Sequence, residues 1–376
     1  MSDHTALGAL LAVATSAAQA YIGNRDWLVG KKPPPASPIS VRPKFSTHVA
    51  SAPFTVIDGA LATHLESLGQ DISGALWSAE TLLKEPMLIA ETHMDYYRAG
   101  ARVAITASYQ ASVPGLIKHL AMTEDEAMDL LRNSVELAFK AREEYEAEFP
   151  DVQLFVAGSV GPYGAFLADG SEYRGDYVVG KEAMKQFHRG RIEALVQAGV
   201  DVLACETMPT KGEVEAILEL LTTEFPHTEA WFTFTLRDGK HMSDGTPLLE
   251  IAKTFQGVGQ VVAVGVNCVA DDVVGQAIGE LVKGLTGATV IVYPNSGETW
   301  NAKARDWEGQ RTEGASLAEK TVGWYKAGAK MIGGCCRTTP EDIKTMSTAL
   351  GRYVADSRGQ GSESGEAREG QLAGET

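Results

Sequence analysis

Residues 327–336 read AGAKMIGGCC, and this stretch contains the signal that decides the fold. Gly328 is a typical left-handed helix stop, and the residues after it form an apolar run that predicts a β-strand. The same helix stop followed by a strand recurs at residues 99–103 (AGARV) and 198–202 (AGVDV). The chain therefore alternates helices with strands, and the last of these strands ends in two adjacent cysteines.

Eight strands of this kind are predicted. They span residues 55–60, 102–109, 154–160, 202–207, 230–236, 261–268, 289–294 and 330–335. Several are almost entirely apolar, as expected for parallel strands buried on both faces. Eight βα units predict an α/β fold, a (β/α)8 TIM barrel, which typically needs about 250 residues. A doubly wound open sheet is the alternative, although no Gly-x-Gly-x-x-Gly motif follows the first strand.

The barrel is predicted to be one domain of residues 51–353 with a flexible extension at each end. Residues 1–50 are expected to contain a helical extension and a Pro-rich linker at 31–38. Residues 7–21 resemble a secretory signal, but no Lys or Arg precedes them, so a signal peptide is not expected. Residues 354–376 are rich in Gly, Ser and Glu, which predicts a disordered tail.

The composition excludes several functional classes. The 376 residues carry a net charge of -16, which argues against binding to nucleic acid or to an anionic membrane surface. No apolar run reaches the ~18 residues of a transmembrane helix. The chain has four cysteines, two of them adjacent, which favours a reducing compartment over a disulfide framework. We therefore expect a cytoplasmic protein.

Three of the four cysteines indicate a metal site. Cys268, Cys335 and Cys336 lie at the carboxyl ends of predicted strands, where active sites of TIM barrels form. Three thiolates favour zinc and leave a fourth tetrahedral position open for a substrate. Cys205 directly precedes Glu206 on a strand, so its side chain is expected to face the helix layer rather than the barrel mouth.

The remaining polar residues at the predicted strand ends suggest a small amino-acid substrate. Asp58 and Glu206 would project into the same mouth, where a pair of carboxylates can hold an α-ammonium group. Asn295 could offer an amide oxygen to the metal. Each acid could instead cap a helix or pair with a cation.

Taken together, these motifs resemble the homocysteine S-methyltransferases, over residues 54–353. The resemblance rests on Asp58-Gly59-Ala60, Tyr109-Gln110-Ala111-Ser112, Gly158-Ser159-Val160-Gly161-Pro162, Cys205-Glu206-Thr207, Val266-Asn267-Cys268 and Gly333-Gly334-Cys335-Cys336-Arg337. It implies that Cys268, Cys335 and Cys336 bind Zn2+ as the catalytic set. It also implies that seven residues contact the substrate: Asp58, Gly59, Thr106, Ser108, Glu206, Asn267 and Asn295.

The resemblance is greatest to the short, stand-alone, zinc-dependent enzymes that use S-methylmethionine or S-adenosylmethionine. It implies a methyltransferase of methionine biosynthesis, whose partners are homocysteine and a small sulfonium donor. Two alternatives stay open, a betaine-dependent homocysteine methyltransferase and a non-catalytic zinc-binding barrel. The sequence does not decide between a monomer and a homo-oligomer.

Overall fold

The computed structural model describes residues 42–71, 77–301 and 306–372 of the protein. Eight strands form the main sheet: β1 Thr55–Val56, β2 Val103–Ile105, β3 Phe155–Val160, β4 Val202–Met208, β5 Ala230–Phe234, β6 Val261–Asn267, β7 Thr289–Tyr293 and β8 Ala329–Ile332. The helices span Phe45–Ser51, Leu61–Ser67, Trp77–Lys84, Pro86–Arg98, Val113–Leu120, Glu124–Glu148, Tyr163–Leu167, Ser171–Arg174, Lys181–Ala198, Lys211–Glu224, Leu248–Thr254, Val274–Gly284, Gly314–Ala327 and Pro340–Leu372.

The sheet closes into a barrel. Each strand from β2 to β7 pairs in parallel with the next one along the chain, and β8 pairs in parallel with β1. A parallel bridge between Ile57 and Val103 then joins β1 to β2, supported by a 2.7 Å hydrogen bond from the Arg102 amide to the Val56 carbonyl. The predicted (β/α)8 barrel is therefore confirmed, and each strand lies within or next to a predicted run.

Local sequence signals explain where several helices begin. Thr123 caps the helix Glu124–Glu148 in a capping box, because its hydroxyl accepts from the Glu126 amide while the Glu126 carboxylate accepts from the Thr123 amide. The last helix begins at Pro340, and Thr339 and Asp342 form a similar reciprocal pair. The helix that begins at Pro340 follows the turn that carries Cys335 and Cys336, so its capped start helps to fix this part of the rim.

Side chains alternate between the barrel interior and the layer under the helices. On β4, Val202 and Ala204 pack inside the barrel, whereas Leu203 and Cys205 pack against the helix layer. The prediction that Cys205 faces the helices is thus confirmed. The same alternation turns Glu206 towards the mouth, because successive side chains on a strand point to opposite faces.

The helix Phe45–Ser51 covers the amino-terminal end of the barrel. Phe45 is buried, with its ring 5.1 Å from that of Phe155 and 6.0 Å from that of Trp231, and Val49 joins the same core. The packed structure therefore starts before residue 51, the predicted start of the barrel domain. The segment before residue 51 packs onto the barrel because burial of the apolar Phe45 side chain is favourable.

The structure describes only part of the two predicted extensions, residues 1–50 and 354–376. The Pro-rich linker and the helical segment at residues 7–21 fall outside the described residues. The last helix runs to Leu372, so helical backbone continues past the predicted domain end at residue 353. Within residues 42–71, 77–301 and 306–372, no helix is long and apolar enough to cross a membrane.

Candidate metal centre and substrate pocket

The backbone after β7 brings the three predicted metal ligands together. Cys268 follows β6, and its amide donates to the carbonyl of Tyr293 at 3.2 Å. Cys335 follows β8, and its amide donates to the carbonyl of Pro294 at 2.8 Å. Because β7 lies between β6 and β8 in the sheet, its extension holds both cysteine segments at one point of the rim.

The three thiols form a compact cluster. The sulfur atoms of Cys268, Cys335 and Cys336 all lie within 4.8 Å of one another, and the Sγ atoms of Cys268 and Cys336 are 3.4 Å apart. Hydrogen bonds from the Cys268 and Cys335 thiols lower the pKa of Cys336 well below its ordinary value. All four cysteines, including Cys205, are free thiols. The cluster suits a soft, tetrahedral cation, because three thiolates can share one ion and leave a position open.

The backbone around the cluster is held in an unusual conformation. Thr207, Cys268 and Arg337 each have a positive φ, at 63°, 53° and 68°, although none is a glycine. Such conformations cost of order 1–3 kcal/mol and persist only where the surroundings impose them. Thr207 lies near the carboxyl end of β4, while Cys268 and Arg337 follow β6 and β8, so three of the five non-glycine residues with positive φ in the described chain lie at the candidate site.

Asn295 supplies an independent indication of a ligand. Its backbone amide donates to the carbonyl of Val269 at 2.9 Å, which ties it to the Cys268 segment. Its side-chain oxygen Oδ1 is buried and has no hydrogen-bond partner in the described part of the chain. A buried acceptor without a partner is costly, so this atom fits a role beside a cation or a bound substrate.

The two predicted acids are both buried at the mouth. Asp58 is 3% exposed, and its carboxylate accepts from the Ile105 amide at 2.7 Å. Burial raises the pKa of Asp58 well above its ordinary value, and the charge of Glu206 raises it further. Burial also raises the pKa of Glu206 to about 7, while hydrogen bonds from Ser159 and Tyr293 act in the opposite direction. The two carboxyls are thus close enough to interact, and a cation between them would stabilise both as carboxylates.

Thr106 and Ser108 form an internal hydroxyl network. Their hydroxyls are 2.8 Å apart, and the Ser108 hydroxyl donates to the carbonyl of Ser159 at 2.8 Å. The Ser159 amide donates back to the Thr106 hydroxyl at 3.0 Å, and the Ser159 hydroxyl donates to Glu206. The network therefore connects β2 and β3 to Glu206 and orients its carboxylate.

Asn267 has its side chain committed to its neighbour Thr207. Its Oδ1 accepts from the Thr207 amide at 2.7 Å, and its Nδ2 donates to the Thr207 hydroxyl at 2.8 Å. Both residues are buried. These two hydrogen bonds hold the left-handed turn after Glu206, and the contact of Asn267 with substrate stays a prediction.

Gly59 lies where a larger residue cannot fit. A Cβ atom there would stand 2.8 Å from Cε1 of Tyr96 and 3.0 Å from the hydroxyl of Thr338. The Tyr96 hydroxyl donates to the Ala60 carbonyl at 3.0 Å, so the ring cannot move freely. Gly59 thus allows the backbone after Asp58 to pass close to the Cys335 turn.

Sequence reasoning missed four residues at this rim. Ser159 and Tyr293 hydrogen-bond to Glu206, and Glu172 and Tyr173 come from the short helix Ser171–Arg174 after β3. The Tyr173 hydroxyl is 3.5 Å from the Cys268 sulfur. Ser159 and Tyr293 lie within predicted strands and could have been found from strand alternation. Glu172 and Tyr173 lie in a loop insertion that periodicity does not position.

Comparisons with known proteins agree with this geometry. The sequence model of the homocysteine S-methyltransferase family matches residues 55–350. A homocysteine S-methyltransferase of Escherichia coli (strain K12) is 52% identical over 292 residues, covering 77% of this chain and 93% of the relative. The homocysteine S-methyltransferase YbgG of Bacillus subtilis (strain 168) is 44% identical over 299 residues, covering 78% of this chain and 93% of the relative.

A solved structure shows the same fold. The crystal structure of the homocysteine methyltransferase MmuM from Escherichia coli, in a metallated form, matches with a TM-score of 0.73 at 50% identity. The match covers 80% of this chain and 98% of that chain.

Proposed function

The chain belongs to the homocysteine S-methyltransferase family, and from this premise we propose that it transfers a methyl group from a sulfonium donor to L-homocysteine and forms methionine. The donor is S-methylmethionine or S-adenosylmethionine. The observation that carries the proposal is the cluster of three thiols on the rim, with the paired acids Asp58 and Glu206 at the same mouth. Placement in methionine biosynthesis follows from the product.

The residues of the cluster would hold Zn2+. Cys268, Cys335 and Cys336 offer three sulfur ligands, the donor set that zinc prefers, and the unpartnered Oδ1 of Asn295 is available beside the Cys268 segment. A zinc ion held there would lower the pKa of the homocysteine thiol, so that the substrate is present as the reactive thiolate.

The protein orients homocysteine through its amino group. Asp58 and Glu206 are buried carboxyls that form no salt bridge within the described residues, so an α-ammonium group between them would satisfy both charges. Because Gly59 has no Cβ atom, the backbone after Asp58 can pass close to Tyr96 and Thr338. The hydroxyl network through Ser159 keeps the Glu206 carboxylate directed at the mouth.

The chemical step exchanges one carbon–sulfur bond for another. A lone pair of the homocysteine thiolate attacks the methyl carbon of the donor and forms a new S–C bond. The bond from that carbon to the sulfonium sulfur breaks, and its electron pair stays on the donor sulfur. A thiolate and a sulfonium cation thus become two neutral thioethers. No proton moves in this step, because the thiol proton leaves when homocysteine binds.

A methionine-formation assay tests the proposal. The reduced, zinc-loaded protein is incubated with homocysteine and, in separate reactions, S-methylmethionine, S-adenosylmethionine or betaine, with and without a chelator. We expect methionine from a sulfonium donor and a loss of activity with the chelator. Turnover with betaine alone would establish the betaine-dependent reaction instead. A protein that binds zinc but forms no methionine from any donor would be a non-catalytic zinc-binding barrel.

Matched cysteine variants separate the cluster from general effects of losing a thiol. Cys335→Ala is expected to lose both bound zinc and methyl transfer. Cys205→Ala removes an equally free thiol that packs against the helix layer, and it should keep the bound metal. Full activity of metal-free Cys335→Ala would contradict the proposed role of the cluster. Because the cluster requires reduced thiols, we also propose a cytoplasmic location.

A further inference from the structure

The short helix Ser171–Arg174 places an aromatic ring at the candidate metal centre. The hydroxyl of Tyr173 is 3.5 Å from the sulfur of Cys268, yet the residue is 47% exposed. Tyr173 therefore contacts the thiol cluster through its hydroxyl while part of the residue stays accessible to solvent. An exposed aromatic face beside a reactive centre can attract a cation, since the face of the ring carries negative electrostatic potential.

The neighbouring residue Glu172 forms no salt bridge with any residue that the structure describes. Its Oε2 atom is buried and has no hydrogen-bond partner among these residues. The nearby Arg174 is committed elsewhere, with its Nε 2.7 Å from Asp176 and its Nη1 2.8 Å from the Asp169 carbonyl. Glu172 directly precedes Tyr173, so it lies on the same short segment that contacts the thiol cluster. A buried carboxylate in this position favours a positively charged ligand.

The segment is held rigidly enough to act as a site. The Thr235 hydroxyl donates to the Glu172 carbonyl at 2.8 Å, and the Gly175 amide donates to the Ser171 carbonyl at 2.8 Å. Gly164 packs against this segment so closely that a Cβ there would lie 2.4 Å from the Glu172 amide nitrogen. Glu172 and Tyr173 are therefore presented to the mouth in a fixed arrangement.

We propose that Glu172 and Tyr173 form the docking site for the cationic methyl donor. The ring of Tyr173 packs against the sulfonium group, and the carboxylate of Glu172 compensates its charge. The docking site rests on the proposed function and extends it, because it assigns the donor half of the pocket to residues separate from Asp58 and Glu206. After transfer the donor is a neutral thioether, so both attractions disappear and product release is favoured.

Four variants test the docking site by steady-state kinetics with homocysteine and S-methylmethionine varied in turn. Tyr173→Leu removes the ring, and we expect kcat/KM for the donor to fall about tenfold, the size of a partly desolvated cation–π interaction. Tyr173→Phe keeps the ring and should stay within about twofold of the wild type. Glu172→Gln keeps the shape and loses the charge, with a fall of about tenfold expected. Glu182→Gln, at a side chain that is 80% exposed, is the charge control and should change nothing.

The KM for homocysteine and the zinc content should be unchanged in all four variants, which a general loss of structure would not allow. The same losses are expected with S-adenosylmethionine, because the two donors share the sulfonium group. A loss confined to one donor would show that these residues contact another part of that molecule and would overturn the proposal. Unchanged donor kinetics in both Tyr173→Leu and Glu172→Gln would also overturn it while leaving methyl transfer itself intact.

Calorimetric titration makes the docking site testable even if the wild type forms no methionine, a result that would reject the proposed function. The zinc-loaded protein is titrated with S-methylmethionine and with methionine, its neutral counterpart. Preference for the sulfonium compound in the wild type, lost in Tyr173→Leu and Glu172→Gln, supports the docking site. Equal binding of the two compounds to the wild type contradicts it.

Discussion

Replacing Asn267 by alanine tests how the rim is held together. The amide of Asn267 makes two hydrogen bonds to Thr207, at 2.7 and 2.8 Å, and both residues are buried. An unpartnered buried amide N–H costs about 1–3 kcal/mol, and the second hydrogen bond contributes about 0.5–1.5 kcal/mol. We therefore expect Asn267→Ala to lower the free energy of unfolding by about 2–4 kcal/mol.

The same substitution should also affect substrate binding. Thr207 has a φ of 63°, which a β-branched residue keeps only when its surroundings impose it. Without the Asn267 amide the turn relaxes, and the preceding Glu206 carboxylate shifts. We expect the KM for homocysteine to rise, whereas the zinc content stays the same because the three thiols are retained.

Urea unfolding followed by circular dichroism measures the stability change, and Asn133→Ala is the matched control. Asn133 is also a buried asparagine, 6% exposed, but its Oδ1 has no hydrogen-bond partner. Its replacement should cost less, at most about 1 kcal/mol, because no side-chain acceptor bond is lost. If Asn267→Ala and Asn133→Ala were equally stable, the reasoning about the Thr207 turn would be refuted.

Three further predictions concern the substrate pocket and the amino-terminal end of the barrel. In the reduced, metal-free protein, buried Glu206 keeps its proton up to a pKa of about 7, whereas the unfolded chain loses it near 4.5, so folding stability falls as pH rises between these values. Glu206→Gln should remove this pH dependence, so its free energy of unfolding should rise relative to that of the wild type by up to about 3 kcal/mol between pH 5 and 8, as measured by urea unfolding. A difference between the two proteins that does not change with pH would contradict this prediction. Gly59→Ala should raise the KM for homocysteine, since its Cβ would meet Tyr96 at 2.8 Å; an unchanged KM would show that the backbone adapts. Phe45→Ala should lower the free energy of unfolding, measured by thermal unfolding, by about 3–5 kcal/mol. A decrease below about 1 kcal/mol would mean that the helix Phe45–Ser51 does not cover the barrel.

The eight strands could be predicted because buried parallel strands are apolar over nearly their whole length. Their ends were predicted less well. The first run was expected to extend over residues 55–60, whereas β1 is Thr55–Val56. Beyond the strand the pairing is reduced to a single bridge between Ile57 and Val103, in which the Asp58 amide donates to the Val103 carbonyl. At the rim the residues no longer pair as a regular strand, because they form the pocket. The point at which regular pairing ends cannot be read from strand periodicity.

The cluster of three thiols was also predictable, because the carboxyl ends of the strands converge on one rim of a barrel. The structure brings Cys268, Cys335 and Cys336 together as expected. The hydrogen bonds of Asn267 to Thr207 were not predictable, because they depend on the conformation of the turn after Glu206. Tyr173 lies 95 residues before Cys268, in a loop whose path only the folded chain defines.

Zinc K-edge X-ray absorption on the reduced, zinc-loaded protein, before and after adding homocysteine, tests most directly whether the three-thiol site receives the substrate sulfur. With Cys268, Cys335 and Cys336 as ligands, we predict three sulfur scatterers before the addition and four after it. A sulfur count that homocysteine leaves unchanged would contradict the account.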